Sequence, residues 1–276
     1  MVNGAGWLKG LALTTAAALS MSLASAAFAI DQGYAAWDTL LKKHVAWNAA
    51  GVASTVNYKG FAADQAPFKK VLDEFSAVTK AEYDGMKRDE KLAFLINAYN
   101  AYTIELILSK YPDLKSIRDL GSLVQAPWKK KFFTLLGEER NLDNVEHDMI
   151  RAPGVFDEPR IHFAVVCASI GCPALRSEAV TASKLESQLE DGVRRFLRDK
   201  SRNRYSKDND RLEVSRIFDW YKVDFEKGFK GFTSREVFFA KYADLLGDDA
   251  AAQQKIKDGK VAISHLEYDW KLNDRK

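Results

Sequence analysis

The segment at residues 90–112 constrains the fold more than any other part of the chain. It reads EKLAFLINAYNAYTIELILSKYP, and apolar side chains cover nearly every side of the helix that it would form. A helix that is apolar all round is buried. We therefore predict a central helix enclosed by the rest of the fold, which ends before Pro112 because proline cannot continue it.

Two amides interrupt this apolar helix. Asn97 and Asn100 are three residues apart and so share one face of the helix. A buried amide without hydrogen-bond partners costs about 1–3 kcal/mol. Two interpretations stay open: the amides belong to a polar network that fixes the helix in the core, or they line a functional site.

The segments around this helix indicate the fold class. Thr79-Lys80-Ala81-Glu82 is a capping-box pattern. Residues 131–142 are typical of a hairpin with its turn at Gly-Glu-Glu-Arg, and residues 261–273 form an extended aromatic segment. Helices and short strands do not alternate regularly, which favours an α+β fold. We predict the central helix packed on a small antiparallel sheet, with surrounding helices.

The only two cysteines lie in residues 160–173, which read RIHFAVVCASIGCP. This pattern predicts a strand with Cys167 near its end. Side chains alternate between the two faces of a strand, so His162 and Cys167 are predicted on opposite faces. Cys172 would then cap a helix starting at Pro173, where backbone amides favour a thiolate.

A cysteine hydrolase needs a thiolate, a nearby imidazole and a group that orients the imidazole. We assign Cys167 as the nucleophile, His147 as the base and Glu146 as its orienter. His162 or an asparagine amide would support the oxyanion. The candidate catalytic residues are Cys167, His147, Glu146, His162, Asn97 and Asn100.

Each of these assignments has a structural alternative. In Asp143-x-x-Glu146, the glutamate would serve only to cap a short helix. Cys167 would be a small buried apolar residue, or would form a disulfide with Cys172 in an oxidising compartment.

The composition predicts neither a metal nor a cofactor. Four histidines and two cysteines show no metal-ligand spacing, and no glycine-rich phosphate loop or G-x-S-x-G motif is present. The net charge of +3 is too balanced to indicate nucleic-acid binding.

The N-terminus predicts export. Lys9 precedes an apolar stretch from Leu11 to Leu23, and Ala27-Phe28-Ala29 fits the small-x-small cleavage rule. We predict cleavage after Ala29 and a periplasmic or secreted protein. No other stretch is apolar enough to span a bilayer, so we expect no stable membrane span after cleavage.

Several motifs together resemble the domain of unknown function 547 family. They are AFLINAYNAYTIELIL, LDNVEHDMIR, RIHFAVVCASIGCPALR, LEVSRIFDWYKVDF and YDWKLN, in this order across about residues 85–273. The predicted organisation is a signal peptide (1–29), an N-terminal helical extension (30–84) and the family-like α+β domain (85–276). The family resemblance implies no established activity.

The order of elements also suggests a distant similarity to papain-like and transglutaminase-like folds. Those enzymes carry the nucleophile at the start of the central helix, whereas this helix has Asn97 and Asn100 and no cysteine. The resulting hypothesis is an exported cysteine-type hydrolase or acyltransferase whose partner is a peptide or protein. The alternative is a non-enzymatic binding or scaffold module with structural cysteines.

Overall fold

The structure, a computed structural model, describes Met1 and residues 30–122 and 124–275. The predicted signal peptide lies outside the described residues except for Met1. Among the helices in the described part of the chain, none has the length and apolarity needed to cross a membrane.

The first elements form a helical layer that packs on the central helix. They are α1 (Ala35–His44), β1 (Val45–Trp47), β2 (Ser54–Val56), α2 (Tyr58–Ala63), α3 (Gln65–Ala77) and α4 (Lys80–Gly85). β1 and β2 pair antiparallel. The predicted capping box is confirmed: the Thr79 hydroxyl accepts from the Glu82 amide, and the Glu82 carboxylate accepts from the Thr79 amide. Trp37, Phe61 and Phe68 join these helices to the main hydrophobic core.

The predicted central helix is confirmed as α5 (Arg88–Leu108), which ends four residues before Pro112. Every residue from Leu92 to Ile104 is buried. The Tyr102 ring stacks on Phe133 with 3.9 Å between centroids, which packs α5 against the following hairpin.

The middle of the chain consists of short elements. They are 3-10 helices Ile117–Leu120 and Pro127–Lys129, β3 (Phe133–Leu135), β4 (Glu138–Arg140), the π-helix Asn144–Ile150 and the 3-10 helix Pro159–Phe163. The antiparallel hairpin is confirmed. Its turn is Leu136-Gly137, both with positive φ, so Glu138, Glu139 and Arg140, which were predicted in the turn, belong to β4.

The predicted strand through residues 160–167 is wrong. Glu158 accepts hydrogen bonds from both the backbone amide and the guanidinium of Arg160, which folds this stretch into a 3-10 turn. Arg160 is buried and also pairs with Glu186 at 2.7 Å. These ionic contacts prevail over the β propensity of the local sequence. His162 and Cys167 are therefore not held on opposite faces of a strand.

The helix predicted at Pro173 is also absent, since residues 173–181 have no regular secondary structure.

The following elements are the 3-10 helix Ala182–Lys184, α6 (Leu185–Arg198), β5 (Arg204–Ser206), β6 (Arg211–Val214), α7 (Ile217–Trp220), 3-10 helices Lys222–Phe225 and Phe229–Gly231, α8 (Arg235–Lys241), α9 (Ala243–Leu246), α10 (Ala250–Lys257) and β7 (Ala262–His265). β5 pairs antiparallel with β6, and β6 pairs parallel with β7.

The α+β class is confirmed, with the strands in small separate sheets beside the helices. The buried apolar residues form two clusters. The first extends from Ile30 to Leu189, and the second joins Phe163 to residues 193–261. Residues of both clusters line a cavity, so the site described next lies where the two meet.

Candidate active site

The cavity has a volume of about 240 Å³. Its lining includes four of the predicted site residues: Glu146, His147, His162 and Cys167. Asn97 and Asn100 are not among the lining residues. Aromatic side chains supply much of the remaining surface, in particular Trp128, Trp220, Tyr221, Tyr268 and Trp270.

Cys167 begins a tight turn, residues 167–172, which we call the thiol loop. The loop is held by the C-terminal segment, residues 268–273: the Ile170 amide donates to Lys271 O and the Gly171 amide donates to Asp269 O, both at 2.8 Å. A Cβ at Gly171 would lie 3.0 Å from the Asp269 nitrogen and from the Tyr268 ring. Glycine is therefore needed for this close approach.

The Cys167 sulfur has three polar neighbours. Its Sγ lies 2.9 Å from Cys172 Sγ, 3.0 Å from the Tyr268 hydroxyl and 3.2 Å from the Ser169 hydroxyl. The hydrogen bond with Cys172 lowers the pKa of the Cys167 thiol most, and the two hydroxyls add to this effect against burial, which opposes it. Cys167 is also partly exposed. These are the properties of a reactive thiol.

Cys172 has the opposite character. It is buried, and burial raises the pKa of its thiol well above the ordinary value. Cys172 thus keeps its proton and can donate it in a hydrogen bond to the Cys167 thiolate. Both cysteines are free thiols in this structure. With no helix at Pro173, the predicted helix-terminus effect on Cys172 is wrong.

Glu146 lies on the π-helix and points inward. Its Oε2 accepts a hydrogen bond of 3.0 Å from the Tyr99 hydroxyl of α5, whereas its Oε1 has no partner among the described residues. The carboxylate is buried, with 5% of the residue exposed. Asp143 makes no side-chain cap at this helix, so the capping interpretation of Asp143 and Glu146 is wrong.

His147 points elsewhere, since consecutive residues of a helix project in different directions from its axis. Its side chain is 41% exposed, its Nδ1 contacts Arg151, and its Nε2 lies 3.9 Å from Asp143. The contacts of the imidazole are therefore to Arg151 and Asp143, in place of the Glu146 orienter that we predicted. His147 still lines the same cavity as Cys167.

His162 is buried in a fixed arrangement. Its Nε2 donates to the Asp224 carboxylate at 2.8 Å, and its ring stacks on Tyr221 at 3.8 Å. Burial lowers the pKa of His162. Burial alone would raise the pKa of Asp224, but hydrogen bonds from His162 and Arg151 lower it below its usual range. Asp224 and Arg151 thus hold a neutral imidazole in place.

The contacts of the two amides of α5 support the interpretation that they form a polar network that fixes this helix in the core. Asn97 donates to Val180 O at 2.7 Å and accepts from Val180 N at 3.0 Å. Asn100 donates to Ala164 O at 2.9 Å and accepts from Val166 N at 3.0 Å. Asn100 therefore positions the backbone that leads into Cys167, and neither amide is free to bind an oxyanion.

The structure therefore brings Cys167, Glu146, His147 and His162 around one cavity. Among the described residues, no imidazole hydrogen-bonds to the Cys167 sulfur; its polar neighbours are Tyr268, Ser169 and Cys172. Sequence reasoning missed Tyr268, Ser169, Asp224 and Arg151. Tyr268 and Asp224 do lie within the motifs YDWKLN and LEVSRIFDWYKVDF, which were the available signal.

Of the residues that the structure describes, no group of three or more histidine, cysteine, aspartate or glutamate side chains is arranged to hold a metal ion. The polar side chains that meet at the cavity include those of Glu146, His147, His162, Cys167 and Tyr268.

Comparison with known proteins gives one match. No curated protein and no solved structure matches the chain, so the similarity to papain-like and transglutaminase-like folds stays a prediction. The matched segment is shorter than the resemblance over residues 85–273, but it includes α5, the π-helix and both cysteines. Residues 83–197 match the model of the family described as "Protein of unknown function, DUF547", and over this segment the chain is similar to that family.

Proposed function

We propose that the cavity is the active site of a cysteine-type hydrolase or acyltransferase that acts on peptide or amide substrates, with Cys167 as the nucleophile. One observation carries the proposal: a partly exposed thiol of lowered pKa faces a cavity and has two hydroxyls and a second thiol around its sulfur. Such hydrogen bonds favour the thiolate, which is the reactive form.

In the proposed reaction, the Cys167 sulfur attacks the carbonyl carbon of the substrate, and the acyl group is transferred to sulfur as the carbon–nitrogen bond breaks. Water or a second amine then releases the acyl group. Because the thiolate is stabilised by Tyr268, Ser169 and Cys172, it forms without direct contact from an imidazole. His147, which lines the same cavity, is the proposed proton donor to the departing amine.

The other predicted site residues take positioning roles in this proposal. Asn100 holds residues 164–166 in front of the nucleophile, and Asn97 anchors Val180 to α5. His162, fixed by Asp224, supports the Tyr221 side of the cavity. The proposed place of action is the periplasm or the extracellular space, on the basis of the N-terminal export pattern.

The test is trapping of the acyl-enzyme with an activated ester, p-nitrophenyl acetate. We expect a burst of about one equivalent of p-nitrophenol at pH 6–7, and an acetyl group on the peptide that contains Cys167. Cys167→Ala should abolish both. Cys172→Ala should slow the burst roughly two- to tenfold, because one unit of thiol pKa changes the thiolate fraction about tenfold and Cys172 lowers that pKa most.

An equal burst from Cys167→Ala would contradict the proposal. So would acetylation of Cys167 only after the protein has been unfolded. Either result would favour the binding or scaffold module with structural thiols.

A further inference from the structure

Glu146 has one carboxylate oxygen without a hydrogen-bond partner among the described residues. This residue is more than nine-tenths buried, lines the cavity, and has no hydrogen-bond partner for Oε1 among the described residues. The Tyr99 hydroxyl donates a hydrogen bond of 3.0 Å to the other oxygen, and the Tyr221 hydroxyl is a second neutral hydrogen-bonding neighbour of the carboxylate. A buried carboxylate whose neighbours are neutral hydroxyls is unfavourable, since buried charges are normally paired with an opposite charge. A cationic ligand group would remove this cost.

The nearby cation does not fill this role. Arg151 lies beside Tyr221 and His147 of the cavity lining, but its Nε donates to Asp224 at 2.6 Å and its NH1 contacts His147. Its guanidinium also lies over the Tyr221 ring, 4.7 Å from the centroid. Arg151 is therefore committed to Asp224 and Tyr221, and the charge of Glu146 remains without a cation.

The aromatic part of the cavity lining is suited to a cation as well. Trp220, Tyr268 and Trp270, which we call the aromatic wall, lie 4.5–5.5 Å apart between ring centroids. The Arg118 guanidinium already lies over the Trp270 ring, 5.4 Å from the centroid, whereas Trp220 is 46% exposed and open to an incoming ligand. Aromatic faces attract ammonium groups, and indole is the most effective of them. The combination of an aromatic surface with a buried carboxylate is selective for a positive nitrogen.

The volume limits the size of the ligand. At about 240 Å³ the cavity is smaller than the roughly 300–1,000 Å³ typical of drug-sized ligands. It accommodates a group about as large as one amino-acid side chain. An alkyl chain that ends in an ammonium group matches this volume, the apolar lining and the single carboxylate.

We propose that the cavity binds a primary ammonium group on an alkyl chain, with the ammonium at Glu146 Oε1 and the chain against the aromatic wall. Binding of the amine stands on the cavity alone. The assignment of that amine to the substrate of Cys167, as part of an amine-bearing peptide or as the acyl acceptor, rests on the proposed function.

The experiment compares three ligands by isothermal titration calorimetry of the folded protein. They are the methylamides of Nα-acetyl-lysine, Nα-acetyl-norleucine and Nα,Nε-diacetyl-lysine. Norleucine keeps the alkyl chain without the ammonium, and diacetyl-lysine replaces the ammonium by a neutral amide N–H. We expect the lysine ligand to bind about tenfold more tightly than either of the others, because pairing the buried carboxylate is worth at least about 1.4 kcal/mol.

Glu146→Gln should reduce lysine binding to the level of norleucine. The matched control, Glu139→Gln, changes an exposed glutamate of β4 and should bind lysine as the wild type does. The comparison of the three ligands on the wild-type protein needs no variant, so it remains decisive if Glu146→Gln does not fold.

Equal affinity for lysine and norleucine, no binding of lysine at millimolar concentration, or unchanged lysine binding by folded Glu146→Gln would each overturn the inference. Cys167→Ser separates it from the proposed function, because the serine variant should still bind lysine while forming no thioester. Lysine-selective binding without acetylation of the wild type would refute the proposed function alone. Acetylation without lysine selectivity would refute this inference alone.

Discussion

The buried amides of α5 and the buried carboxylate of the π-helix form an instructive pair. Asn97 and Asn100 each donate to one backbone group and accept from another. Glu146 has one oxygen bonded to Tyr99 and one without a partner among the described residues. Buried polar groups normally have partners. The amides therefore complete the fold, whereas the carboxylate has capacity left for a ligand.

The largest effect on stability is expected when Asn100, whose amide makes hydrogen bonds to two backbone groups, is replaced. Asn100→Leu leaves Ala164 O and Val166 N without their partners, and each such group costs about 1–3 kcal/mol. We expect the free energy of unfolding to fall by about 2–6 kcal/mol in urea denaturation. Gln65→Leu, at an exposed position of α3, is the control and should change it by less than about 0.5 kcal/mol. A loss for Asn100→Leu no larger than that of the control would mean that the amide is not a structural clamp.

A smaller effect on stability, of opposite sign, is expected at Glu146, whose Oε1 has no hydrogen-bond partner among the described residues. Glu146→Gln keeps an acceptor for the Tyr99 hydroxyl but removes the buried charge. We expect the free energy of unfolding to stay constant or rise by up to about 1 kcal/mol, since the uncompensated carboxylate is removed. Thermal and urea unfolding beside the wild type would show this. A loss of several kcal/mol would show that Glu146, like the two asparagines, contributes to the stability of the fold.

The smallest effect concerns the pH dependence of the melting temperature and tests His162. This residue is intermediate between the asparagine amides and Glu146. His162 has a partner, Asp224, yet burial lowers the pKa of its ring. Because the unfolded chain takes up the proton first as pH falls, at about 6.5, acid favours unfolding. We expect the melting temperature to decline as pH falls from 7 towards 5.

His162→Gln should flatten this decline relative to its own value at pH 8. Asp224, whose pKa is also lowered, acts in the same direction but below the ordinary aspartate range, at about pH 4 and lower. An unchanged slope between pH 7 and 5 in His162→Gln would show that this histidine does not set the acid sensitivity.

Structural features that depend on residues close together in the sequence were predictable. The burial of α5 followed from an apolar surface on every side, and the capping box at Thr79 and Glu82 needs only residues three apart. The shape of the thiol segment was not predictable in this way. Arg160 pairs with Glu158, two residues away, and also with Glu186 of α6, 26 residues away, and a local pattern does not report the second contact.

The candidate site was predictable only in part for the same reason. Cys167, His147 and Glu146 were identified as residue types suited to the chemistry, and the structure places them around one cavity. Their actual contacts depend on distant positions: Tyr99 lies 47 residues from Glu146, and Tyr268 lies 101 residues from Cys167. No periodicity in a sequence reports a pairing over such separations.

The hydrogen bonds between the C-terminal segment and the thiol loop have a consequence during protein synthesis. A growing chain contains Cys167 101 residues before it contains Tyr268, whose hydroxyl is one of the groups that favour the Cys167 thiolate. The segment that carries Tyr268 also fixes the loop through the amides of Ile170 and Gly171. Cys167 therefore acquires this hydrogen-bond partner only after Tyr268 has been synthesised, and a shorter chain lacks one of the groups that lower the pKa of the thiol.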